Sequence, residues 1–194
     1  MLRTEVRSRA RERMRLSVHL ARDAAEVREA QKLRWRVFAD EMGARLDAPE
    51  TGVDSDPFDP WCEHLIVRDL DAGEVIGTYR ILTGAQARTL GGFYSDGEFD
   101  LARLDHLRDR TVEVGRSCVH PDHRNGATIA MLWQGLAQYM QAHHYEYMIG
   151  CASISMADGG HGAASIYNRL RTSSMSPIEY RVFPRCPLPL ERLD

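Results

Sequence analysis

The feature that most constrains the fold is the stretch TVEVGRSCVHPDHRNGATIA, residues 111–130. Its first half has the apolar and β-branched residues typical of a strand, a proline marks a turn, and a helix-like segment follows. The turn presents unpaired backbone N–H groups and the positive end of a helix dipole, which favours an anion site. A strand-to-helix corner without a ligand explains the same string equally well. The residues of the candidate anion site are Arg124, Asn125, Gly126, Ala127 and Thr128.

The rest of the chain continues this alternation, which predicts an α/β sheet with helices packed on its faces. Asp23 can cap a helix that ends near Gly43, and the run HLIVRDLDAGEVIGTYRIL predicts a β-hairpin. We also expect a strand at 16–20, a short helix near 101–107, a strand at 111–119, a helix at 127–143, a strand at 147–156, a helix at 163–170 and a last strand at 178–183.

Length and composition indicate one folded domain. The 194 residues are 43% hydrophobic, enough for a core of that size. We assign residues 1–15 to a basic N-terminal arm and residues 16–194 to the domain, because the arm carries six arginines against two glutamates. The remainder is acidic, which argues against a nucleic-acid partner. No apolar run approaches the ~18 residues of a membrane-spanning helix and no signal-peptide core is present, so we expect a cytoplasmic protein.

The basic arm has an amphipathic pattern. Leu2, Val6, Ala10 and Met14 recur every four residues between the arginines, typical of a narrow apolar stripe on a basic helix. Such a helix can contact an anionic membrane peripherally, at its inner face, or an acidic protein. A solvated, frayed terminus explains the composition without any partner.

Four cysteines in a chain of this length are expected to be free thiols. Cys62 with His64, and Cys118 with His120, repeat a spacing that puts both side chains on one face of a strand. Two such pairs can form a zinc site, but the motifs are short and we expect no metal. Cys118 and His120 as nucleophile and base are a further alternative. A strand cysteine among apolar residues is more often a small core residue.

The order of elements and the turn at 124–127 resemble the GCN5-related N-acyltransferase superfamily. In that fold a strand runs into an Arg/Gln-x-x-Gly-x-Gly/Ala turn whose amides hold the pyrophosphate of coenzyme A. Here the turn lacks the second glycine. A donor on acyl carrier protein has a single phosphodiester at its pantetheine root, so fewer amides suffice. The resemblance thus implies acyl-phosphopantetheine on acyl carrier protein as donor substrate, with no tightly bound cofactor.

Longer strings resemble the ornithine N-acyltransferases of ornithine-lipid synthesis, and more distantly the acyl-homoserine-lactone synthases. The resemblance covers roughly residues 16–190 and implies the N-acyltransferase fold, with a central mixed, mostly antiparallel sheet flanked by helices. It implies transfer of a 3-hydroxyacyl group to the α-amine of ornithine, giving lyso-ornithine lipid. Family members usually continue for several dozen residues, so we expect a shortened C-terminal part. The strings include LRWRVFADEMGA (33–44), DSDPFDPWCEHLIV (54–67), GGFYSDGEFDL (91–101) and EVGRSCVHPDHR (113–124).

The resemblance assigns catalytic roles on the strand at 111–119. Glu113 is the candidate general base, and Arg116 completes the shared Glu-x-x-Arg spacing. Residues three apart on a regular strand point to opposite faces, so both serve one site only if the strand bulges, which Gly115 permits. Backbone amides near Ser117 and Cys118, freed by the bulge, are candidate donors to the thioester oxygen.

A second group of residues is expected at the acceptor and acyl pocket. Arg34 lies one helical turn from Phe38 and is placed at the mouth of the site by the resemblance. Arg80 is the candidate partner of the amino-acid carboxylate. Phe93 and Tyr94 line the acyl channel or pack in the core. Three loop residues that attract a cationic acceptor, or are simply solvated, are Asp54, Asp56 and Asp59.

Two other functions fit the same residues. An enzyme of a neighbouring kind acylates another amino acid or is an acyl-homoserine-lactone synthase. A non-catalytic module binds acyl groups or carrier protein, and Glu113 is then structural.

Overall fold

The computed structural model describes residues 15–193, and its centre is a five-stranded β-sheet. In chain order the elements are β1 (Leu16–Leu20), α1 (Ala24–Trp35), β2 (Glu63–Asp69), β3 (Glu74–Thr83), α2 (Gly84–Leu90), α3 (Ser95–Glu98), β4 (Phe99–Asp100), β5 (Thr111–Val119), α4 (Ala127–Ala142), β6 (Tyr147–Ile149), α5 (His161–Leu170) and β7 (Phe183–Pro184).

The main sheet has the strand order β1-β2-β3-β5-β6. Neighbouring strands are antiparallel from β1 to β5, whereas β5 and β6 are parallel, with α4 as their crossover. The predicted central mixed, mostly antiparallel sheet flanked by helices is therefore confirmed. The short strands β4 and β7 form a separate antiparallel pair.

Helix α1 covers one face of the sheet. Asp23 accepts hydrogen bonds from the amides of residues 25 and 26, as its capping role requires, and a π-helical turn (Arg36–Glu41) continues the helix towards Gly43. Ala30 and Leu33 are buried in one apolar cluster with Ile66 of β2. The predicted helix and its cap are confirmed, and Val37 and Phe38 of the π-helical turn pack in the same cluster.

Helix α4 covers the opposite face. Leu132 and Leu136 are fully buried against Leu65 and Ile81, and burial of each leucine contributes about 1.5–3 kcal/mol. The packing is close, because a Cβ added at Gly77 of β3 would lie 2.7 Å from Thr128 Cγ2. Glycine at position 77 thus lets the first turn of α4 lie directly on β3.

Two predicted strands near the C-terminus are corrected. The strand expected at 147–156 pairs only over Tyr147–Ile149, and the segment after it leaves the sheet. The strand expected at 178–183 is a 3-10 turn (Ile178–Tyr180) followed by β7, which pairs with β4 outside the main sheet. Both runs match a strand pattern, but each pairs over only two or three residues, and Phe183 remains 47% exposed.

The prediction of a basic arm falls mostly on residues 1–14, which lie outside the described residues. Within residues 15–193, no helix has the length and apolar character needed to cross a membrane.

Candidate active site

A cleft of about 1210 Å³ opens where β5 and β6 separate. The two strands pair only from Thr111 to Glu113 on the β5 side, and beyond that point each lines one wall of the cleft. Gly150 follows β6 directly, and any side chain there would collide with the carbonyl of Val114. The volume exceeds that of an ordinary small-molecule pocket, so it can accept a long substrate.

Strand β5 has the predicted bulge on this cleft. Thr78 of β3 pairs with Cys118, but Arg80 pairs with Gly115, so two residues of β5 face one residue of β3. The left-handed backbone falls on Arg116, with φ +50°, rather than on the glycine before it. Arg116 and Glu113, three residues apart across the bulge, both line the cleft.

Glu113 is buried at the edge of the cleft and is held by three donors. Its Oε2 accepts from the Tyr94 backbone amide at 2.7 Å, and its Oε1 accepts from the Ser95 amide at 2.8 Å and from the Ser95 hydroxyl. The carboxylate has no arginine or lysine partner among the described residues. This fixes its position at the cleft, while its role as a general base stays a prediction.

The sequence analysis placed Arg34 at the mouth of the site, but its side chain is completely buried. Its Nε donates to Asp54 Oδ2 at 2.9 Å, and its Nη2 donates to Asp59 Oδ2 at 2.6 Å and to the Asp54 carbonyl. Arg34 therefore ties α1 to the loop before β2. Its partner on the helix, Phe38, does line the cleft.

Arg80 also has a role different from the predicted one. Its Nη1 donates to Asp56 Oδ1 at 2.6 Å and to Asp59 Oδ1 at 2.9 Å, and the side chain is 7% exposed. It is thus already paired with carboxylates of the protein. Arg116 is the more accessible arginine, with a side chain 28% exposed and Nη2 at 3.2 Å from Asp56 Oδ2.

The three aspartates of the loop are therefore not solvated, and they are not free to attract a cation. With Arg34, Arg80 and Arg116 they form a network of three positive and three negative charges, which we call the Arg–Asp network. Burial by itself raises the pKa of Asp59, but the charge of Arg34 and the hydrogen bonds from Arg34 and Arg80 outweigh it, so that pKa is lowered. Burial lowers the pKa of the adjacent His64.

The predicted anion turn lies at the far end of the cleft. Gly126 has φ +86°, which favours glycine, and it lines the cleft together with Arg124. Arg124 forms a two-pronged ion pair with Glu41, at 2.6 and 2.7 Å. Asn125 Oδ1 accepts from the Ala127 amide at 3.1 Å, so one of the amides at this helix start already has a partner.

Thr128 is fully buried, and its hydroxyl donates to the His123 carbonyl at 3.2 Å. Because the hydroxyl has a partner and the methyl group packs against Gly77, only the backbone N–H of Thr128 is left to contribute to an anion site. Binding of a phosphate at this turn stays a prediction.

The two aromatic residues predicted at the acyl channel divide between core and cleft. Phe93 is 3% exposed and packs with Leu82 and Leu101, so it is a core residue. Tyr94 is 39% exposed and lines the cleft, where its ring contacts Phe58 edge to face. Other apolar cleft residues include Val37, Met42, Ile129 and Trp133.

The cysteines show neither a metal site nor an activated nucleophile. Within residues 15–193 no group of three or more His, Cys, Asp or Glu side chains is arranged to hold a metal ion. Burial raises the pKa of the Cys118 thiol to about 12, which keeps it protonated near neutral pH. Cys118 packs with Ala30 and Ile66, as expected for a core residue.

Sequence reasoning missed three residues at the Glu113 corner of the cleft. Ser95 holds Glu113, Cys151 lies with its Sγ 3.3 Å from Ser95 Oγ, and Glu98 accepts from the Tyr94 hydroxyl at 3.4 Å. Ser95 and Glu98 have the Ser-x-x-Glu spacing that often starts a helix, and this signal could have indicated a helix here, although Ser95 is the first residue of α3 and its side chain does not cap it.

Comparison with known proteins agrees with this geometry. Residues 33–134 match the family model described as an acetyltransferase (GNAT) domain. The chain belongs to the GNAT family of acyltransferases.

Among curated relatives, the chain is 43% identical over 148 residues to L-ornithine N(alpha)-acyltransferase of Rhodobacter capsulatus, covering 73% of this chain and 57% of the relative. It is 41% identical over 167 residues to the protein of the same name from Brucella abortus, covering 81% of this chain and 57% of the relative. The chain thus spans about half the length of the curated relatives it matches.

Solved structures show the same fold at low sequence identity. The acyl-homoserine-lactone synthase LasI has a TM-score of 0.54 at 16% identity, covering 80% of this chain and 78% of LasI. FeeM, an N-acyl amino acid synthase from uncultured soil microbes, has a TM-score of 0.51 at 16% identity, covering 77% of this chain and 78% of FeeM.

Proposed function

We propose that this protein transfers a 3-hydroxyacyl group from an acyl carrier protein thioester to the α-amine of ornithine, giving lyso-ornithine lipid. The observation that carries the proposal is a carboxylate, Glu113, fixed beside a bulged strand at the point where β5 and β6 separate. The names of the curated relatives support ornithine as the acceptor.

In the proposed reaction the neutral α-amine attacks the thioester carbonyl carbon, and its proton passes to Glu113, directly or through a water. Amides of Ser117 and Cys118, on the bulge, stabilise the negative oxygen of the tetrahedral intermediate. The carbon–sulfur bond then breaks, and the leaving pantetheine thiolate takes up a proton. No covalent enzyme intermediate is required.

Three parts of the cleft would hold the two substrates. The turn around Gly126 would bind the single phosphodiester of the pantetheine arm, with one amide occupied by Asn125. Apolar cleft residues such as Phe38 and Trp133 would contact the acyl chain. Arg116, whose side chain is more exposed than that of Arg80, would bind the carboxylate of the amino acid.

The test is to identify the product formed from defined donors. Purified protein is incubated with 3-hydroxyacyl carrier protein and a pool of amino acids, with acyl coenzyme A in parallel, and the products are identified by mass spectrometry. We expect N-acyl-ornithine from the carrier thioester. Product from coenzyme A alone would contradict the proposed donor, acylation of another amine would contradict the acceptor, and absence of product from either donor would favour a binding module.

A further inference from the structure

The charges that line the cleft are not balanced at its Glu113 end. Among residues 15–193, the two carboxylates on the cleft wall are Glu98 and Glu113. Arg80, Arg116 and Arg124, which also line it, are each paired with aspartate or glutamate residues of the protein. The cleft therefore has two carboxylates without a cationic partner, and one of them, Glu98, has no part in the proposed reaction.

Helix α3 brings these two carboxylates to one corner. The backbone amide of Tyr94 donates to Glu113 at 2.7 Å, and the hydroxyl of the same residue donates to Glu98 at 3.4 Å. Residues 94 and 98 are one helical turn apart, a rise of about 6 Å. Burial raises the pKa of the Cys151 thiol at this corner, and the negative charges of Glu113 and Glu98 raise it further. Both charges therefore act on the same part of the cleft wall.

This corner complements an amino acid with two amines. Arg116 is partly exposed and can bind the α-carboxylate, while Glu113 lies where the reacting α-amine is needed. The charge of Arg116 is balanced within the Arg–Asp network, so Glu98 and Glu113 leave this corner with a net negative charge, which complements the second, protonated amine of a diamino acid. We infer that Glu98, positioned by Tyr94, binds the side-chain ammonium of the acceptor and selects amino acids that have a second amine. The inference rests on the proposed function.

The loop aspartates are less suited than Glu98 to bind a second ammonium. Asp54, Asp56 and Asp59 are neutralised by arginines, so a second ammonium at their position would meet no net negative charge. Glu98 is exposed to the cleft, and no lysine or arginine of the described residues lies within ion-pair distance of it.

The test compares ornithine with norvaline, which has the same carbon chain without the terminal amine. We expect Glu98→Gln to lower kcat/KM for ornithine by roughly 10- to 100-fold, since a charged hydrogen-bond partner is lost, and to leave norvaline within about twofold. Glu146→Gln is the matched control, because Glu146 is an exposed glutamate paired with Arg110 away from the cleft. This control variant should leave kcat/KM unchanged for both ornithine and norvaline. Equal losses for both substrates, or no loss with ornithine, would overturn the inference.

Calorimetric titration of the free amino acids gives a second readout that needs no turnover. If the wild-type protein binds ornithine more tightly than norvaline and Glu98→Gln removes that preference, the inference stands even when no acyl product forms. If the two amino acids bind the wild type equally, the inference fails. Absence of product together with this preference would instead contradict the proposed transfer reaction.

Discussion

Replacement of Arg34 by alanine should destabilise the protein by about 3–5 kcal/mol, the usual cost of leaving buried charges without their partner. The Arg34 side chain has no exposed surface, and it contacts Asp54 and Asp59, which are 2% and 6% exposed. Its removal leaves Asp54 with only the partly exposed Arg116 nearby. For a chain of this size the loss corresponds to a fall in Tm of roughly 6–20 °C.

The effect should depend on pH with a defined sign. Because the pKa of Asp59 is lowered in the folded protein, its ion pair contributes fully above the unfolded-state pKa of about 4. The contribution is lost as the pH falls through the lower folded-state pKa. The stability difference between wild type and Arg34→Ala should therefore be largest near pH 7 and shrink below pH ~4.

Urea unfolding followed by circular dichroism measures the difference, with Arg28→Ala as control. Arg28 pairs with Glu50 on the surface, where the side chains are 47% and 55% exposed, so its loss should cost at most about 1 kcal/mol. If Arg34→Ala is no more destabilising than Arg28→Ala, the Arg–Asp network does not have the buried structural role described here.

Three further predictions follow from burial, packing and charge. Alkylation at pH 8 should label the exposed Cys186 at least roughly tenfold faster than Cys118, because burial raises the pKa of the Cys118 thiol to about 12. Equal labelling rates, measured by peptide mass spectrometry, would contradict this prediction. Gly77→Ala should cost about 1–3 kcal/mol in urea unfolding, because the new Cβ meets Thr128; an unchanged stability would show that α4 lies farther from β3. Deletion of residues 1–14 should raise KM for the carrier protein, more at low than at high salt, and a salt-independent change would exclude an electrostatic contact.

Much of the fold could be predicted from local patterns. The strand at 16–20, the hairpin and the strand at 111–119 have regular alternation or clear turn residues, and the structure has strands at those positions. The bulge was predicted from the resemblance, which puts Glu113 and Arg116 in one site, because residues three apart reach one site only if the strand is irregular. The prediction of a last strand at 178–183 was wrong over most of its length, because a strand also needs a neighbour with free backbone groups. Local sequence does not show where such a neighbour lies.

The charged residues were harder to predict because their partners lie far along the chain. A loop rich in proline, glycine and aspartate has the composition of a solvated segment, yet Asp54 and Asp59 are buried by an arginine 20 and 25 residues away. Spacing along one element cannot reveal such pairs. Glu98 was overlooked because its place at the cleft becomes visible only in the folded structure, where Tyr94 donates to both Glu98 and Glu113.

If Glu113 acts as the base for acyl transfer in the cleft, its replacement by glutamine should slow single-turnover transfer. Glutamine has nearly the same shape and keeps an oxygen that can accept from the Tyr94 or Ser95 amides, so the fold should be retained and circular dichroism can confirm it. We expect the rate of N-acyl-ornithine formation to fall at least roughly tenfold while affinity for the carrier protein is unchanged. A rate within about twofold of wild type, in a correctly folded variant, would contradict it.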